Sequence, residues 1–142
     1  MAYISQETKK TLAPAIKVVL KKYGMKGSIG IDNHSSLVVN LKSGALDLCG
    51  AANRHGKKVS DQRGWQHYDV EDFSLNHFHF ADWMEQIGET KIAAFTNELV
   101  AAMKGEDWYD NSDSMIDYFE IAYYLDINVG KWDKPYVYEN NA

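Results

Sequence analysis

Between Ile121 and Val129 the chain alternates with a period of two. Ile121, Tyr123, Leu125, Ile127 and Val129 point one way, and Tyr124, Asp126 and Asn128 point the other. A strand with one apolar and one polar face cannot stand alone. Its backbone groups need neighbouring strands, and its apolar face needs a covering layer. Two other segments carry helical spacing and can supply that layer. In the first, Ser5 caps a helix that starts at Gln6, and Leu12, Ile16, Val19, Leu20 and Tyr23 form one stripe. Pro14 is expected to kink this helix or divide it, and Gly24 to stop it. In the second, residues 90–104, Thr90 can cap, Ile92, Phe95, Leu99 and Met103 form the stripe, and Gly105 ends it.

Between these segments the signals are weaker. Ile29 and Ile31, then Leu37, Val39 and Leu41, alternate on either side of the turn-rich stretch Asp32–Ser36, which predicts a β-hairpin. Residues 43–64 contain four glycines and little periodicity, and read as loop with one short helical turn near Leu46–Ala52. Trp65 to Phe80 is aromatic and strand-like, with Phe78 and Phe80 on one face and His77 and His79 on the other. The expected fold is therefore α+β: a mainly antiparallel sheet of about four strands with two main helices packed on one face, all in one domain, 1–142. Asp32, Asn40, Lys42, Asp126 and Asn128 would line the open face.

The 142 residues are 45% hydrophobic and 13% aromatic, too apolar for a disordered chain. No apolar run approaches the ~20 residues that span a bilayer, and the opening MAYISQETKK lacks the apolar core of a secretory signal. A lone cysteine, Cys49, suits a reducing cytoplasm. The net charge of −5 is unevenly distributed. Residues 1–60 hold ten Lys/Arg and three Asp/Glu, whereas 61–142 hold five and seventeen. In a chain this short, the halves are expected to interleave and partly cancel. The overall acidity argues against nucleic acid as a partner; the alternative would place Lys9, Lys10, Lys17, Lys21 and Lys22 of the first helix on phosphates.

Catalytic signatures are missing. There is no GxSxG elbow, CxxC or HExxH, and GMKGSIG leads into a strand where a phosphate loop would lead into a helix. Cys49 has no basic neighbour and reads as a small buried hydrophobe. His77 and His79, two apart on an expected strand, could join His67 around a metal ion, which would make a small metal-dependent enzyme the alternative function. The acidic loop with Asp107, Asp110 and Asp113 lacks the glycine and glutamate of a calcium loop. The reading that results is a non-catalytic protein without a cofactor.

Tyrosine and tryptophan crowd the C-terminal third beside acidic groups, the composition of a protein-binding hot spot. Trp108, Tyr109, Asp110, Asp113 and Trp132 are the expected contact residues, on one acidic, aromatic-rich surface. Self-association is also left open.

Two stretches carry a resemblance. The opening ETKKTLAPAIKVVLKKYGMKGSIGIDNHSSLVVNLKSG joins a lysine-rich helix to a hairpin, and the closing SMIDYFEIAYYLDINVGKWDKPY resembles the second half of the same module. Together, over roughly residues 1–44 and 90–138, they resemble small uncharacterised proteins of large tailed bacteriophages. More distantly they resemble a domain associated with the large polyvalent proteins of phages and mobile elements. The resemblance implies a phage origin and action in the cytoplasm of the infected bacterium, on a host protein or a host defence system. It implies no catalytic residues.

Overall fold

The computed structural model describes residues 2–106, 108–110 and 121–139. Ser5 caps α1 (Gln6–Lys22), its hydroxyl accepting the Thr8 N–H at 3.1 Å. The helix runs unbroken through Pro14. A mid-helix proline costs about 3 kcal/mol, while burying Ile16 and Leu20 gains about 2 kcal/mol each, so packing holds the helix together. Gly24, at φ +67°, supplies the left-handed residue that ends it. The hairpin follows as β1 (Met25–Asp32) and β2 (Ser36–Gly44), joined by a turn in which Asn33 and His34 both take positive φ.

The 43–64 region departs from expectation. It is largely α2 (Leu48–Arg63), a full helix. Asp47 caps it by accepting the Gly50 N–H at 3.1 Å, and Gly64 at φ +71° closes it. Only Leu48 and Ala51 are fully buried along it, so its apolar stripe is too short to register as a period. The Trp65–Phe80 stretch is a strand only over β3 (Phe73–Leu75). The Asn76 side chain then accepts the N–H groups of Phe78 and His79 at 3.0 and 3.3 Å, and the Asn76 carbonyl accepts that of Phe80. This local turn replaces the sheet ladder and leads into α3 (Phe80–Gln86). The fourth helix, α4 (Thr90–Lys104), matches its predicted span, with Glu89 at the N-cap position where Thr90 was expected. The period-two run yields β4 (Tyr124–Val129), and β5 (Val137–Tyr138) ends the described chain.

The α+β class holds, but the sheet is mixed. Its order is β1-β2-β4-β3, with β5 also on β2. The β1/β2 and β3/β4 pairs are antiparallel, and the β2/β4 and β2/β5 pairs are parallel. Side-chain alternation reveals a strand's faces but not its direction. The helices between β2 and β4 form the crossover that a parallel pair requires. Leu37, Val39, Leu41, Leu125, Ile127 and Val129 form the inner face, in one buried cluster with Ile16 and Leu20 of α1, Leu48 of α2, Phe80 and Met84 of α3, and Phe95, Leu99 and Met103 of α4. Among the described residues no helix is long and apolar enough to cross a membrane.

Candidate interaction surfaces at the two ends of β4

The expected contact residues fall at opposite ends of β4. Its six residues span about 20 Å at ~3.3 Å per residue. Trp108 belongs to the first end, where its indole Nε1 donates to the Tyr123 carbonyl at 2.8 Å. Trp132 follows Val129 and Gly130 at the other end. Trp108 and Trp132 therefore stand about one strand length apart. Asp113 lies outside the described residues.

At the first end, Trp108 is a brace. It is half-buried against the core, with the Lys104 ammonium 4.5 Å from its ring centroid. It also walls a cleft of about 620 Å³ between α1 and α4, beside Leu12 and Ala101. Its neighbours are the exposed groups. The Ala122 N–H donates to the Tyr109 carbonyl and the Ala122 carbonyl accepts the Tyr3 N–H, both at 2.9 Å. Tyr3 and Tyr109 are thus both tied to Ala122 through the backbone. Tyr124 stands two residues on, its N–H bonded to the Ser35 carbonyl. These tyrosines are 64%, 42% and 50% exposed. Asp110 is exposed and bridges to Ile121. Asp32 and Ser36 lie in register with Tyr124 across the three strands. Tyr3 and Tyr124 were not expected here: Tyr124 was read only as the polar side of a strand, and Tyr3 comes in from the far end of the chain.

At the other end the chain leaves the sheet after β4 and rejoins β2 as β5. The intervening loop is closed by reciprocal Lys131–Lys134 backbone bonds of 2.8 and 3.1 Å. It is anchored where the Tyr136 N–H donates to the Glu71 carbonyl and its hydroxyl to the Leu46 carbonyl at 2.6 Å. Trp132 projects from this loop, 88% exposed.

No family model, curated protein or solved structure matches this chain. The reading of both ends therefore rests on their geometry.

The three histidines of the metal alternative do not form a cluster. His67 packs on Gly56 of α2, its Nε2 3.1 Å from Asp69 but not aligned as a hydrogen bond. His77 lies against Phe78, and the His79 ring lies 6.0 Å from that of Trp83. Burial, with help from Lys104 and against Asp126, lowers the His77 pKa. Among the described residues no group of three or more His, Cys, Asp or Glu converges as a metal site. Burial pushes the half-buried Cys49 thiol up to about 11, assisted by Asp47, so it stays protonated and unreactive at neutral pH. Of the five lysines of the nucleic-acid alternative, Lys22 is taken by Glu98 at 2.6 Å.

Proposed function

We propose that this chain is a phage-encoded interaction protein that carries out no chemistry of its own. It binds a host protein, or a component of a host defence system, in the bacterial cytoplasm. The contact is the tyrosine end of β4. One observation carries this reading: Tyr3, Tyr109 and Tyr124 are each exposed, and their backbones are tied to one another through Ala122 and to Ser35 at this end of β4. Exposed tyrosines offer large, two-torsion contact areas at low entropic cost, and a fixed backbone reduces that cost further. Asp32 and Asp110 give the rim an acidic character that suits a partner with basic groups around an apolar centre. The phage setting is supported by the likeness of the two quoted stretches to tailed-phage proteins.

Capture from bacterial lysate on the immobilised protein tests this. The wild type is expected to retain a discrete host protein. The Tyr3→Ala/Tyr109→Ala/Tyr124→Ala variant should lose it by about a hundredfold or more, as for hot-spot truncation. Trp132→Ala should retain it. Equal retention by the triple variant, with an unchanged circular dichroism spectrum, defeats the assignment.

A further inference from the structure

The Trp132 end presents a different chemistry, independent of the tyrosine end. The loop stands beside a cleft of about 320 Å³ on the open face of the sheet, a volume within the ~300–1,000 Å³ range of small-ligand sites. Its floor is a polar row across three strands. The Ser74 hydroxyl donates to Asn128 Oδ1 at 2.9 Å, and Asn128 Nδ2 donates to Asn40 Oδ1 at 3.0 Å. This chain of bonds fixes both amides and, among the described residues, leaves Asn40 Nδ2 as an unused donor. Around the floor stand the carboxylates of Asp72 and Asp133 and the ammonium of Lys131. None of the three has a side-chain partner among the described residues. Trp132 rises from the rim with its ring in solvent.

We infer that this cleft is a binding site for a neutral sugar ring of a glycan. The lining decides among ligand classes. The cleft's own lining sets two carboxylates against one ammonium, with Lys134 in the same loop, so it concentrates no positive charge for a phosphate, which disfavours a nucleotide or single-stranded nucleic acid. Apart from Phe73 and Trp132 the side chains of the lining are polar or charged, which suits a hydroxylated ligand better than the apolar anchor of a protein partner. A pyranose presents hydroxyls that both donate and accept, and these match the unused acceptors of Asp72 and Asp133 and the unused donors of Asn40 and Lys131. Its C–H-bearing face carries partial positive charge and suits the electron-rich face of an exposed indole.

The loop that carries the indole is rigidly placed. Gly130 holds φ +70°, and a Cβ there would lie 2.6 Å from the Tyr136 nitrogen and 3.2 Å from the Glu71 carbonyl oxygen. The backbone that carries Trp132 is therefore held beside the amide row, so part of the ordering cost of binding is already met in folding.

The test uses three probes, maltohexaose, cellohexaose and chitohexaose, added to ¹⁵N-labelled protein, with a twelve-thymidine oligonucleotide as the anionic comparison. NMR resolves the indole N–H of Trp132 from those of Trp65, Trp83 and Trp108. At least one hexasaccharide is expected to shift the Trp132 indole and the Asn40 and Asn128 side-chain amides in a saturable way. Trp132→Ala should abolish binding. Asp72→Asn and Asp133→Asn should each weaken it about tenfold, the loss typical of one hydrogen bond to a charged group. Trp132→Phe should keep part of it, which separates stacking from the indole's own N–H. The inference is overturned if none of the three sugars shifts these signals at about 10 mM, a concentration that would reveal even millimolar affinity. It is also overturned if Trp132→Ala binds as the wild type does, or if the oligonucleotide alone occupies the site. A sugar-silent cleft would leave the tyrosine-end reading standing, because Trp132 has no part in it.

Discussion

At the start of β4, the Tyr123 hydroxyl sits 2.5 Å from the Met103 carbonyl oxygen and 2.9 Å from that of Lys104, and so closes the last turn of α4. The ring is buried, and burial pushes the phenol up to about 12 from its ordinary 10. A folded-state pKa above the unfolded one means the protonated phenol is favoured by folding. Its contribution is complete below pH ~10 and is lost as pH rises through about 12. Tyr123→Phe is therefore expected to destabilise the protein by about 1–2 kcal/mol at neutral pH, through two carbonyls left without this partner. It should also remove part of the alkaline loss between pH ~10 and ~12. Denaturant melts of both proteins at pH 7, 10 and 11.5 check this: the gap between them should narrow as pH rises, and a constant gap would contradict the assignment. The inward direction of Tyr123 was legible in the alternation. Its bond to the end of α4 was not, because the pattern gives a face and no partner. Trp108 shows the same limit from the other side. Its type suggested a contact residue, but its indole N–H is used within the fold.

Among the elements, the two strongly periodic helices and the hairpin were readable because their apolar residues face a core that spans the whole element. Helix α2 was obscured by Gly50 and Gly56, which sequence reasoning takes for loop. Gly56 has a packing reason: a Cβ there would lie 2.7 Å from His67 Cε1. Asp47 and Gly64 were usable cap signals sixteen helical residues apart, and they would have located the helix. The His77–Phe80 stretch misled because aromatic alternation mimics a strand, while Asn76 decides the backbone locally. The 130–135 loop depends on a backbone conformation that only glycine adopts freely. Gly130→Ala meets both the left-handed φ and a backbone clash, and is expected to destabilise by about 2 kcal/mol or more while displacing Trp132. Thermal melts, with the position of the Trp132 indole N–H signal read by NMR, check this. A substitution without effect on either would show that the loop is not clamped.

Across the whole molecule, the basic first part and the acidic second part are stitched together. Lys22 pairs with Glu98, Lys26 with Glu139 and Arg54 with Glu89. The Glu98 carboxyl is held below its usual range by the Lys22 ammonium and by the Tyr23 hydroxyl. The charge split seen along the chain is thus partly cancelled in space, as expected of interleaved halves. What the charge count could not show is that the aromatic residues divide between two ends of one strand, since that follows from the path of β4 through the sheet. Two ends of one strand with unlike chemistry, tyrosines with carboxylates at one and an exposed tryptophan beside an amide row at the other, are the features that the proposed binding role would use. The most direct measurement is hydrogen–deuterium exchange of the protein alone and in complex with its captured partner. The account predicts slowed exchange at residues 2–4, 108–110 and 122–124, with the 130–135 loop unchanged. Protection confined to the 130–135 loop, or absent from the three tyrosine segments, would contradict it.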